Sequence, residues 1–177
     1  LSKNCYNLNL PKLENVLIPN FKFPNPKQTI NGIYRSEPQK IFQDSFLDLL
    51  SKNQIYPSVS VIFYTRSNHR GSPHIDGNTK NTGPWSINWN IGSNMILNYY
   101  DTDLKNQSKD YILIKENLNK KLSYIPQSPF LLRNDIVHSV DNIDDHHRWA
   151  ITLRGLPKIE WRDVVNLFRS RNLLSEN

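Results

Sequence analysis

The sequence predicts a mainly β fold, a sandwich, barrel or jelly roll, with a helix on either side of it. Three observations carry this. From Tyr56 onward, short β-rich runs follow one another, separated by turn residues. Two of these runs, 86–91 and 148–154, alternate apolar and polar residues with period two. Two flanking stretches repeat apolar residues at helical spacing.

In chain order, residues 1–35 are rich in Pro, Asn and Lys. Within them, 13–18 is expected to be a strand stopped by Pro19, and Phe21 and Phe23 a short edge strand running into Pro24 and Pro26. Ser36-Glu37-Pro38 has the character of a helix start, with Ser36 as N-cap and a proline in the first turn. Ile41, Phe42, Phe46, Leu49 and Leu50 then carry an amphipathic helix from about 38 to 52. Strands are expected at 59–66, 85–91, 95–100, 111–115, 122–125, 130–133, 135–140 and 148–154. Trp161, Val164, Val165, Phe168 and Leu173 mark a C-terminal helix over about 159–174. With no repeat, low-complexity tract or linker, 1–177 reads as one domain. Its core is about 56–155, behind a helical and loop-like extension, 1–55.

The alternation decides how the sheet would be used. Trp149, Ile151 and Leu153 lie on one side of 148–154, and Arg148, Ala150, Thr152 and Arg154 on the other. In 86–91 one side is apolar and the other is Ser and Asn. A half-exposed sheet with its polar side in water gives this pattern. So does a jelly roll whose apolar outer face is covered by helices and whose polar inner face lines a pocket. The two amphipathic helices favour the second.

At 177 residues the chain can bury a sizeable core. Its net charge of +6 comes without a dense basic cluster, so a solvated lysine-rich surface accounts for it, although a positive excess also attracts anions. Cys5 is the only cysteine, which excludes an internal disulfide framework and fits a reducing, cytoplasmic setting. No apolar run is long enough to span a membrane and no signal-peptide pattern opens the sequence, so no membrane partner is expected.

The chemistry centres on Ser72-Pro73-His74-Ile75-Asp76-Gly77. His74 and Asp76 stand two apart, so on a strand both point the same way. An imidazole beside a carboxylate is two thirds of a 2-His-1-carboxylate iron site. A loop histidine beside an Asx-turn is the plainer reading. His138 supplies a third candidate, against the alternative of a satisfied core histidine. Arg148 follows on the next strand; pointing inward it would be a buried cation in need of an anion.

His74, Asp76, a long gap of strands, His138 and then Arg148 resemble the double-stranded β-helix family of Fe(II)- and 2-oxoglutarate-dependent dioxygenases. The resemblance covers about 64–154. It implies that His74, Asp76 and His138 hold Fe(II) and are the catalytic centre, with 2-oxoglutarate as cosubstrate and O2 as oxidant. It implies that Arg148 clamps the distal carboxylate of 2-oxoglutarate, with Tyr64 and Asn88 as neighbouring contacts. Arg154, of the same parity as Arg148, is a competing or additional carboxylate partner. Asp76 sets the chain apart from the halogenating branch, which lacks the carboxylate, and favours hydroxylation. Arg70 before the motif and Trp85 after it are the candidate substrate contacts.

The expected activity is hydroxylation of a peptide side chain or small metabolite. Oxidative demethylation of nucleic acid is the less favoured alternative. The Arg148–Arg154 spacing speaks for it, and the short His138–Arg148 interval and lack of a base-recognition lid speak against it. A jelly-roll binding module without catalysis is the third; the usual cupin opening, His-x-His with a Glu, is absent.

Overall fold

The computed structural model describes residues 4–30, 32–76, 83–92, 95–100, 118–124, 128–156 and 159–175. Its strands are β1 (Cys5–Asn7), β2 (Ile33–Ser36), β3 (Tyr56–Thr65), β4 (His69–Arg70), β5 (Trp85–Ile91), β6 (Met95–Tyr100), β7 (Leu118–Tyr124), β8 (Phe130–Arg133), β9 (His138–Asn142) and β10 (Arg148–Leu156). They form a six-stranded sheet in the order β1-β8-β5-β10-β3-β2 and a four-stranded sheet in the order β4-β9-β6-β7, with all pairings antiparallel. From β3 to β10 successive strands are dealt between the two sheets so that late strands lie beside early ones. This is the connectivity of a double-stranded β-helix, so the fold class is the one expected.

The apolar side of the large sheet faces outward and is covered. Trp85, Ile87, Trp89, Leu131, Ile151 and Leu153 form one core with Phe46 and Leu50 of α1 (Asp44–Lys52) and with Trp161, Val164, Val165 and Phe168 of α2 (Trp161–Ser170). Trp89 is fully buried against Phe42 and Phe46, and its indole N–H donates to the Pro11 carbonyl at 3.2 Å, so its one polar atom is satisfied. A second, smaller cluster lies between the sheets: Cys5, Met95, Leu97, Tyr99, Phe130 and Leu132. It plugs one part of the interior and leaves the remainder to polar side chains.

Several expected elements differ. The helix expected from 38 begins at Asp44, after a separate 3-10 turn at Pro38–Lys40. Backbone demand explains the break. The Ile41 carbonyl accepts from Ile18 N–H at 2.9 Å and Gln43 N–H donates to the Val16 carbonyl at 2.8 Å, so 41–43 pairs with 16–18 as an isolated bridge. Ser36 therefore caps nothing; it ends β2. For the same reason 13–18 is not a strand: Leu13–Asn15 is a 3-10 turn and only Leu17 pairs, with Phe42. Phe21 and Phe23 form no strand either; Phe23 stacks on Trp149 at 5.2 Å and meets Phe21 edge-on. The C-terminal helix ends at Ser170, and Leu173 is buried beyond it. β9 starts only at His138, and β1, β2 and β4 arise in polar stretches that had shown no alternation. The strand expected at 111–115 lies outside the described residues. Among the described residues, no helix is long and apolar enough to cross a membrane.

Candidate metal and anion site

His74 reaches its place by a constrained path. After β4 the chain passes Gly71, where a Cβ would collide with the Val140 carbonyl, so only glycine lets the backbone lie this close to β9. Gly71 N–H is held by the Asp141 carboxylate at 3.1 Å. His74 and His138 then exchange backbone hydrogen bonds, 2.8 and 2.9 Å, and their rings stand 4.7 Å apart. Asp76 is fixed by its N–H on the Asn134 carbonyl at 3.0 Å.

The side chains converge. His74 Nε2 lies 3.1 Å from Asp76 Oδ1, and His138 Nε2 lies 3.8 Å from Asp76 Oδ2. One ligand atom from each of the three falls within 4.8 Å of the others. Each imidazole has its second nitrogen engaged: His74 Nδ1 on the Ser72 carbonyl at 2.8 Å and His138 Nδ1 on the Ile136 carbonyl at 2.9 Å. A carbonyl accepts only, so Nδ1 keeps its proton and Nε2 is the nitrogen each ring would turn to a metal, the arrangement metal-ligating histidines adopt; without an ion, a protonated His74 donates through Nε2 to Asp76 Oδ1. Two imidazoles and a carboxylate converging on one another fit a first-row divalent ion such as Fe(II).

Arg154 completes this cluster. Its Nη2 donates to Asp76 Oδ2 at 2.6 Å, its guanidinium lies 5.8 Å from the centre of the Phe63 ring, and its buried Nε has no partner among the described residues. Burial alone would raise the Asp76 carboxyl. The hydrogen bond from His74 and the charge of Arg154 outweigh it and hold the group well below the usual carboxylate range. For His74, burial opposes protonation, but the Asp76 hydrogen bond and charge more than offset it, and its pKa is raised. For His138 burial dominates and its pKa is lowered.

Metal and proton compete for His74, whose pKa is raised, more than for His138, whose pKa is lowered. Apparent Mn(II) affinity should therefore fall about tenfold per pH unit below the His74 pKa, one proton exchanged per ion. Titrations of Mn(II) between pH 5.5 and 8.5 read this slope directly; a flat profile would contradict the assignment of His74 as a ligand.

Arg148 lies on the same inner face and is only 5% exposed. Its Nε donates to Asn90 Oδ1 at 2.7 Å and its Nη1 to Thr65 Oγ1 at 3.3 Å. Among the described residues no carboxylate pairs with it. Burial pushes it down to about 10, which leaves it cationic at neutral pH. Asn90 is fully buried, and its amide Nδ2 has no partner among the described residues. Between the arginines sits Ala150, 3% exposed and in register with Asn90 on β5 and Phe63 on β3. Arg148 leans toward Asn90 and Arg154 toward Phe63, so both guanidinium groups turn to the level of the smallest side chain on the strand.

Other expected contacts are placed elsewhere. Tyr64 is on the outer face, stacked on Trp149 at 4.9 Å and beside His147; Phe63 and Thr65 take the inward positions. Trp85 is 2% exposed and packs on Phe168 under α2, so it is a core residue and no pocket wall. Asn88 faces inward, but its amide bonds Ser86 and its carbonyl accepts from Thr152 at 2.7 Å, which leaves it spoken for. Arg70 is exposed and in register with Asp141, on the side of the small sheet away from His138. Asn90, Thr65 and Ala150 had not been singled out. The period-two pattern that exposed Asn88 also held Asn90.

No family model matches the chain, and no curated protein matches it in sequence. Among solved structures it is similar to E. coli ycfD, with 9% identity over 63% of this chain and 28% of that one and a TM-score of 0.36. An oxalate oxidase in complex with the substrate analogue glycolate matches at 12% identity over 84% of this chain and 70% of that one, with a TM-score of 0.42. Peruvianin-I, a cysteine peptidase from Thevetia peruviana latex, matches at 10% identity over 88% and 90%, with a TM-score of 0.41. The chain thus spans under a third of the ycfD chain. At such scores these likenesses settle neither family nor chemistry, and the site is read from its own geometry.

Proposed function

We propose that the chain is an Fe(II)- and 2-oxoglutarate-dependent dioxygenase that hydroxylates a peptide side chain or a small metabolite. The observation that carries this reading is Arg148, a buried cation with only neutral partners among the described residues, on the inner face of the large sheet, the face from which Arg154 reaches Asp76 of the His74–Asp76–His138 cluster. An uncompensated buried charge is costly, and a structure keeps it where a ligand of opposite sign completes it. A metal site at one end and a lone guanidinium at the other suit a short dicarboxylate lying over Ala150.

When bound, Fe(II) with 2-oxoglutarate and O2 would supply oxidation of a C–H bond to C–OH, with succinate and carbon dioxide as co-products. The chain's part is binding and orientation. His74, Asp76 and His138 would hold the ion, with their own hydrogen bonds fixing the ring tautomers. Arg148 would pair with the distal carboxylate as a two-pronged donor. Asn90 Nδ2 is a further donor at that end, and Thr65 holds the guanidinium in place. Ala150, a small side chain between the two arginines, would lie beneath the ligand.

The test is succinate formation from 2-oxoglutarate by the protein loaded with Fe(II) in air, together with anaerobic titration of 2-oxoglutarate into the Mn(II) form. Neither succinate nor saturable binding would leave a jelly-roll binding module as the better reading. Ala150→Leu offers a sharper check. Three extra carbons at a 3%-exposed position should occupy the slot and weaken 2-oxoglutarate binding at least tenfold, with Mn(II) affinity unchanged. Normal cosubstrate binding in that variant would place the ligand elsewhere.

A further inference from the structure

We infer that Arg154 makes metal binding in this site depend on an accompanying anion. The inference rests on the reading of His74, Asp76 and His138 as metal ligands. Asp76 is the one anionic member of the cluster, and its Oδ2 already accepts from the Arg154 guanidinium at 2.6 Å. Asp76 Oδ1 faces His74 Nε2 at 3.1 Å. The carboxylate is therefore divided: one oxygen is left for an ion and the other is held by a cation. Both partners of the pair are largely shielded from water, with side chains 14% and 18% exposed, so the interaction is poorly screened.

The charges decide the consequence. With neutral imidazoles, Asp76 and Arg154 cancel, so a divalent ion enters a cluster with no net negative charge, beside a fixed guanidinium. Arg148, on the inner face that also carries Arg154, adds a cation with no carboxylate partner among the described residues. A dianion bound with the metal removes the excess. Arg154 also has a donor to offer such an anion, because its buried Nε has no partner among the described residues. Metal and dianion thus bind as a pair, each weakening the repulsion that opposes the other, and the coupling is reciprocal.

A role confined to orienting Asp76 predicts the opposite outcome to a charge role, which makes the idea testable with the metal alone. Mn(II) is titrated into the wild type and into Arg154→Gln, Arg154→Met and Arg154→Lys, with and without saturating 2-oxoglutarate. Circular dichroism and melting temperature confirm that each variant is folded. Without cosubstrate, the two neutral variants should bind Mn(II) about tenfold more tightly than the wild type, the scale on which a neighbouring charge shifts a carboxylate. Their gain in Mn(II) affinity on adding 2-oxoglutarate should shrink, and the Lys variant should stay near the wild type. Weaker or equal Mn(II) binding in the neutral variants would overturn the inference and leave Arg154 an orienting group. A wild type that binds Mn(II) but shows no effect of 2-oxoglutarate would sink the proposed function, while the Mn(II)-only comparison still decides the role of Arg154. A wild type that binds no Mn(II) would overturn both.

Discussion

Arg148→Met should lower affinity for 2-oxoglutarate at least tenfold, leave Mn(II) affinity nearly unchanged, and leave the ligand-free protein as stable as before or more so. The two halves of this result have one cause. In the ligand-free protein Arg148 is buried, charged and without a carboxylate partner among the described residues. Replacing a buried ionic group by an apolar one of similar volume is often neutral or stabilising, by up to a few kcal/mol, roughly 1–4 in the larger cases. Against this stand the two hydrogen bonds lost, to Asn90 and Thr65, each worth about 1 kcal/mol net. The balance is close to zero or favourable. For the ligand the balance reverses. Losing a paired guanidinium leaves a carboxylate desolvated and unmatched, a loss of about 2–5 kcal/mol. Arg148→Lys should recover only part of it, because an ammonium cannot bridge two oxygens in one plane. Melting curves with and without 2-oxoglutarate on the Mn(II) form read both halves together. The wild type should be stabilised by the ligand and the Met variant should not. A large destabilisation of the ligand-free Met variant would mean that Arg148 is structural. Unchanged binding would shift the carboxylate contact to Arg154.

This site was partly legible in sequence, and the reasons differ residue by residue. In extended backbone the spacing of His74 and Asp76 puts both on one side, and strand parity alone sorts Arg148, Ala150, Thr152 and Arg154 from Trp149, Ile151 and Leu153. What parity cannot give is which face looks inward on a strand of mixed composition. Tyr64 and Phe63 are both aromatic and adjacent; only pairing with β10, whose phase is fixed by Trp149 opposite Tyr64, turns Phe63 in and Tyr64 out. Trp85 misled for a related reason: it sits close to the iron motif in sequence, but shares its face with Ile87 and Trp89 under the helices. The Arg154–Asp76 contact joins residues 78 positions apart, and no local pattern announces it. The helix boundary at Asp44 was hidden because the partners that stop it, Val16 and Ile18, lie far upstream.

Asp76→Ala should abolish metal binding and destabilise the ligand-free protein by about 2–3 kcal/mol, below the roughly 3–5 kcal/mol seen when a fully buried pair loses one member. The discount follows from the residual exposure of the pair, 14% for Arg154 and 18% for Asp76. In a chain of this size that corresponds to a fall in melting temperature of about 5–10 °C. The cause is Arg154, left with a buried charge and no carboxylate; the neutral rings of His74 and His138 cannot replace it. Two further results separate this cause from ordinary damage to the fold. Because the Asp76 carboxyl is held below its usual range, its contribution is fully present above the unfolded-state value of about 3.9 and is lost as pH falls below it. The stability gap between wild type and variant should therefore narrow below about pH 4, and it should also narrow as pH rises through the raised His74 pKa, where the His74 share of the pairing is lost. The second result is a double-mutant cycle. Adding Arg154→Met to Asp76→Ala removes the stranded cation, so the double variant should be more stable than Asp76→Ala alone. Denaturant unfolding of the four proteins measures the coupling. Simple additivity of the two losses would show that the 2.6 Å contact carries no interaction energy, and with it would go the account of how Arg154 shapes the metal site.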